Sequence, residues 1–451
     1  MTTSFGTGWR CVCGVSGLTT IYCPYCGRTS PLFTPPPPYA GPVPPPPGRV
    51  GLDRRGKRLA LLIALTLLVG LNRAVVRLDQ RTEARRAARQ AALERVVAEL
   101  ETFVAARHGG PFTRTVAVRL LDDREFVVAL RAGGALPDDD LVPSPTRAPV
   151  RDNGDFDATL RAFGLADAGD GSEREARNDL LTGGVFGLYD ERRGRLLVRG
   201  SAVTPFARMV LVHELTHAWQ DQHYGLTTVH DKSGGGGKDD SDRAVTALVE
   251  GDASRVEQDW RDAQSEADRA AIAAYERELN RRRRGEPSRV ERTLDALYGF
   301  PYTAGERFVR ALYERGGNAA VDAAFAHPPL TTEEVLRPAL YPRRGGTPEV
   351  PAPRADGTLV DDGTLGQVGL VVLLGRGEVT REAVENATGW EGDAYVTWRD
   401  GDRVCARLAL RMDSPAARDR VLVTLRPRGV LRSVGATELV LRSCATGTAG
   451  P

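Results

Sequence analysis

Between Met209 and Leu226 the chain reads MVLVHELTHAWQDQHYGL, which gathers three of its six histidines into one short stretch. His213, Glu214 and His217 form H-E-x-x-H. In a helix, residues four apart stand one turn above each other on a single face, so both imidazoles reach one point in space. Imidazole nitrogen is a good ligand for Zn2+, and Glu214, one step round the helix, touches water at that point without binding the metal itself. A metal that acidifies water, set beside a carboxylate able to take its proton, is the equipment for hydrolysing a carbonyl compound. Glu214 is the expected general base. Pro205 suits a first helical turn, and the apolar run ARMVLV leads from it into the motif.

Zinc of this kind takes a third protein ligand, and two residues compete. His223 stands where the pattern H-E-x-x-H-x-x-G-x-x-H places its last histidine. That pattern's glycine is Gln220 here, and the chain's three methionines, Met1, Met209 and Met412, supply no Met-turn closely downstream. On an unbroken helix His223 faces away from the other two histidines. Glu250, in AVTALVEGDA on a second expected helix, follows an apolar run, where an unpaired carboxylate is costly and a metal removes the cost. Glu250 is the expected third ligand, with Asp252 a further carboxylate close by.

The elements that must position these groups follow from patterning. TVAVRLL (115–121) reads as a strand and residues 183–200 as a hairpin turning near Arg193 and Gly194. Helices are expected over 205–224, 240–262, 264–283, 288–298, 303–315 and 317–326, and the tail mixes short helices and strands. The strand Arg195–Gly200 is a candidate edge for an extended peptide to join. Acidic and basic residues, 59 and 61, nearly cancel to +2, which gives no electrostatic reason to expect nucleic acid.

Near the start, Cys11, Cys13, Cys23 and Cys26 form C-x-C and C-x-x-C hooks, each followed by glycine, suited to a closed structural Zn2+ site. CPYC is also a redox string, but a proline tract follows instead of a thioredoxin-like fold. Lys57–Leu78 holds a short uncharged run, Leu59 to Leu71, that spans a bilayer only marginally, with flanking arginines able to snorkel. The positive-inside count is close to a draw. Cysteine use decides it: a thiolate site suits the reducing cytoplasm, and Cys405 with Cys444 suit a disulfide in an oxidising exterior.

FGLYD (Phe186–Asp190), HELTHAWQDQH (His213–His223) and EGDA (Glu250–Ala253) together resemble gluzincin-type zinc metallopeptidases, in particular bacterial membrane-associated ones; YTAGERFV and PPLTTEEVL look like later segments of that family. The resemblance spans roughly residues 95–400. It implies that His213, His217 and Glu250 bind zinc and that Glu214 is the base. The family's aspartate four residues after the glutamate ligand is Ser254 here, leaving Asp252 or Asp221 to orient a histidine. Tyr302 is the expected oxyanion donor, with Tyr224, His230 and His327 as alternatives.

The expected fold class is α+β: a mainly helical zincin-like domain with a small sheet, one N-terminal transmembrane helix and a small C-terminal α+β module. The expected divisions are a zinc ribbon (1–30), a proline-rich linker (31–56), a transmembrane helix (57–78), a metallopeptidase domain (79–350) and the C-terminal module (351–451). The expected function is zinc-dependent hydrolysis of peptide bonds in a peptide or protein substrate outside the cell membrane, with the N-terminus cytoplasmic and a cytosolic partner for the ribbon. The alternative is a catalytically silent envelope scaffold on the same fold.

Overall fold

The computed structural model describes residues 87–131, 153–167, 169–170, 173–200, 202–232, 240–282, 285–342 and 348–446. The four-cysteine cluster, the proline tract and the expected membrane segment lie outside these residues. Among the described residues no helix is long and apolar enough to cross a membrane.

The fold is α+β. Helix α1 (residues 87–108) leads into strand β1 (Ala117–Leu121) and helices α2 (Asp123–Arg131), α3 (Asn153–Ala162) and α4 (Glu173–Gly184). The expected hairpin is present as β2 (Gly187–Asp190) and β3 (Arg195–Arg199), its turn eased by Gly194 at φ +58°. β1 adds parallel to β3, giving the order β1-β3-β2. Since β3 is therefore the middle strand, Arg195–Gly200 offers no free edge, contrary to the expectation from sequence. The outer strand next to the motif helix is β2.

Helix α5 (Pro205–Tyr224) carries H-E-x-x-H and packs on β2 and β3. Thr204 caps it, its hydroxyl accepting from the Ala207 amide, and Gly225 ends it at φ +66°. Leu93, Val97, Leu100 and Val104 recur every three or four residues along α1, and this stripe joins Leu211, Leu215 and Trp219 in one core. After α6 (Leu226–Asp231) come α7 (Asp240–Asp262), α8 (Glu266–Arg282) and α9 (Arg289–Ala326). The two breaks expected in the last of these differ in outcome. At Gly316–Gly317 the helix kinks, Gly317 taking φ +62°, ψ −154°. At Pro301 it does not stop: Phe300 and Pro301 are buried against α7, and that packing outweighs the missing proline N–H.

The C-terminal part comprises α10 (Thr332–Leu336), β4 (Thr358–Gly363), α11 (Gly366–Leu374), α12 (Arg381–Ala387), β5 (Trp390–Asp400), β6 (Arg403–Met412), α13 (Pro415–Leu425), β7 (Val430–Ser433) and β8 (Glu438–Thr446). Its strands form an antiparallel sheet of order β4-β5-β6-β8-β7. Cys405 and Cys444 face each other across β6 and β8 and are disulfide-bonded. One face of this sheet is covered by α3, α11 and α13 in a shared apolar core. The Ser443 hydroxyl also donates to the Ala162 carbonyl at 2.6 Å. Thr82–Pro451 is one compact unit.

Candidate metal centre

His213 and His217 lie one turn apart on α5, and Glu250 reaches them from α7. The backbones of α7 and α9 meet at Gly251 and Gly305: a Cβ at Gly251 would stand 2.2 Å from the Gly305 carbonyl carbon. Only glycine permits that approach, which seats α7 and, with it, Glu250. Nε2 of His213, Nε2 of His217 and Oε2 of Glu250 stand 3.2 Å from one another on all three sides. These residues form the metal-capable cluster among the described residues.

Two observations show that this triangle fits a metal. Nitrogen and oxygen ligands at about 2.0–2.1 Å from a tetrahedral zinc ion stand about 3.3 Å apart, close to the spacing found. Proton accounting points the same way. The Gln220 side-chain nitrogen donates to the Val249 carbonyl at 3.1 Å and to Asp252 at 3.0 Å, both acceptors only. Its oxygen must then face the His217 Nδ1 at 3.0 Å and accept a proton from it. His213 Nδ1 lies 2.9 Å from the Glu257 carboxylate and donates likewise. With Nδ1 donating in both rings, each Nε2 faces a carboxylate oxygen, and the three atoms can lie this close only with positive charge among them, a metal ion or protons on Nε2.

Electrostatics agree. Burial alone lowers the pKa of an imidazole, yet Glu250 and Glu257 hold His213 well above its ordinary value, and Glu250 raises His217. Burial pushes Glu250 up, but the two histidines pull it well below the carboxylate range. The cluster is built to surround positive charge.

Glu214 stands beside the triangle and outside it. It is buried, and its carboxylate accepts from the Tyr189 backbone N–H on β2. Burial raises its pKa, an effect the two histidines partly offset. Gly187 makes the room: a Cβ there would lie 2.5 Å from the Glu214 Cγ. Tyr302, carried in mid-helix on α9, stacks on the His213 ring with centroids 5.9 Å apart, its hydroxyl on the side of Glu250. Desolvation, with Glu250 and Glu214 beside it, raises the phenol's pKa. A cavity of about 300 Å3 opens here, lined by His213, Glu214, Glu257 and Tyr302 together with apolar residues of β2, α5 and the segment before β2.

His223 is not part of the cluster. Its Nδ1 donates to the Trp219 carbonyl at 2.8 Å and its ring stacks on that indole, with His108 on the other face. Tyr224 donates to Asp322 at 2.6 Å, and neither Tyr224, His230 nor His327 lines the cavity. Asp252, rather than Asp221, reaches the centre, and it does so through the Gln220 amide. Asp221 accepts instead from the Tyr189 hydroxyl at 2.9 Å. Sequence reasoning missed Gln220 and Glu257. The signal for Glu257 was its seven-residue spacing from Glu250, two helical turns on one face. Comparison with protein-family models, with curated proteins and with solved structures finds no match for this chain.

Proposed function

We infer that the chain is a zinc-dependent peptidase of gluzincin type, its zinc held by His213, His217 and Glu250. The observation that carries this is the 3.2 Å triangle of two imidazole nitrogens and a carboxylate oxygen with a separate buried carboxylate, Glu214, at its side. Zinc at such a site supplies Lewis acidity, polarising a carbonyl oxygen and acidifying water. The chain's own groups do the rest. Glu214, its basicity raised by burial, takes the proton of the attacking water and returns it to the leaving amine. Tyr302 offers an O–H from the opposite helix toward charge developing on the carbonyl oxygen. β2, the outer strand, is where an extended substrate would align.

In this reading residues 57–78 anchor the chain in the membrane, the four N-terminal cysteines hold a second, structural zinc on the cytoplasmic side, and the peptidase works outside. The Cys405–Cys444 disulfide supports that placement. The test is metal analysis and peptide hydrolysis by the full-length chain. Glu250→Ala is expected to lose one equivalent of zinc. Glu214→Gln is expected to keep both equivalents and lose about 100-fold or more in kcat. Undiminished hydrolysis by Glu214→Gln sinks the mechanism.

A further inference from the structure

We propose that the cavity beside the triad takes a basic side chain, its aliphatic stem lying on the apolar wall and its cation meeting Glu257; this rests on the peptidase reading above. Val185, Phe186, Phe206, Met209 and Val210 form that wall, a surface suited to methylene groups. Among the described residues lining the cavity there is no lysine or arginine, while Glu214 and Glu257 contribute two carboxylates. A dication in the triad is balanced by Glu250 and Glu214. Glu257 is left as excess negative charge facing an apolar space, where weak screening strengthens its pull on a cation.

Glu257 uses Oε2 to accept from His213 at 2.9 Å, and Oε1 has no hydrogen-bond partner among the described residues. Arg261, one turn further along its helix, is already engaged: both terminal nitrogens bind the two oxygens of Glu276, at 2.8 and 2.9 Å. Arg199 lies over Phe186, 5.6 Å from the ring centre, and pairs with Asp123 at 2.9 Å. A free terminal amine carries no stem to cover five apolar residues. A lysine or arginine side chain has both parts.

The test uses the full-length chain and two measurements. Calorimetric binding of N-acetyl-argininamide is compared with that of N-acetyl-norleucinamide and N-acetyl-glutamamide, acetylation removing any terminal amine. Peptides differing in one residue, arginine, lysine, norleucine or glutamate, are then compared for cleavage. The arginine derivative is expected to bind roughly tenfold or more tightly than norleucine, with the cleavage ratio following. Glu257→Gln keeps an oxygen for His213 but removes the charge, and is expected to level that preference. Equal binding of the arginine and norleucine derivatives, or a preference that survives Glu257→Gln, overturns the proposal. If Glu257→Gln loses its zinc, the wild-type comparison decides. Cleavage without preference sinks this proposal alone; preferential binding with no peptide cleaved sinks the peptidase reading and leaves the cavity's selectivity standing.

Discussion

Gln220 and Asp252 bear on the candidate metal centre without belonging to its triangle. Asp252, fully buried, is held by Arg255 through bonds of 2.8 and 3.2 Å to one oxygen, and its other oxygen accepts from Gln220. That fixes the amide so that only its carbonyl oxygen faces His217, which keeps the His217 Nδ1 proton in place. Gln220→Ala is expected to lower zinc affinity about 10- to 100-fold while Glu214 stays in place, read by competition with a chromogenic chelator. Unchanged affinity means His217 is oriented by other groups. His213, Glu214 and His217 were legible in sequence because one helical turn alone determines their relation. Glu250 was legible because a carboxylate after AVTALV lacks any apolar reason to be there. Gln220 was legible only as a missing glycine, and which histidine Glu257 serves depends on how α5 and α7 cross, which no local spacing encodes.

The seat of α7 against α9 is set by glycine. Gly251→Ala is expected to force α7 from α9 and cost about 1–3 kcal/mol, measured as a lower urea midpoint, with zinc affinity falling in step because the next residue back is Glu250. A variant as stable as wild type removes the close contact as the device that seats α7. Gly187→Ala displaces Glu214 relative to the triangle. Its Cβ would overlap the Glu214 side chain, so peptide hydrolysis is expected to fall by at least tenfold with zinc retained; a fall in zinc content of equal size shows that β2 supports the ligands instead. The helices bearing the ligands follow from their caps and apolar periods, and α5 and α7 fall where the pattern puts them. α9 runs on through Pro301 because burial against α7 overrides the local signal. α3, meanwhile, finds its partner in a sheet hundreds of residues later, a pairing visible only in three dimensions.

In the C-terminal part a disulfide braces the sheet within itself, joining β6 to β8, while buried acids fasten it to the helices. The disulfide closes a loop with a separation of 39 residues, and Cys405→Ser with Cys444→Ser is expected to cost about 2–4 kcal/mol, seen as a lower unfolding midpoint. The fastening to the helices is a pair of buried acids. Asp240, at the start of α7, accepts from the amide and hydroxyl of Thr332 at 3.1 and 2.5 Å. Asp393, on β5, accepts from the amides of Leu365 and Gly366 at 2.6 and 2.9 Å, where α11 begins. Burial pushes Asp240 up to about 7 and Asp393 to about 6, against the pull of these hydrogen bonds. In the unfolded chain both titrate near 4. Each acid therefore holds its proton more tightly when folded, so its contribution to stability is complete below about pH 4 and is lost as pH rises through about 6 and 7. The slope reaches at most about 1.4 kcal/mol per pH unit for each group. Wild type is expected to lose more stability between pH 5 and pH 8 than Asp240→Asn, both measured by urea unfolding. Titrations at the triad are common to both proteins and cancel in the difference, so parallel pH profiles would show that Asp240 is already ionised in the folded chain at pH 5.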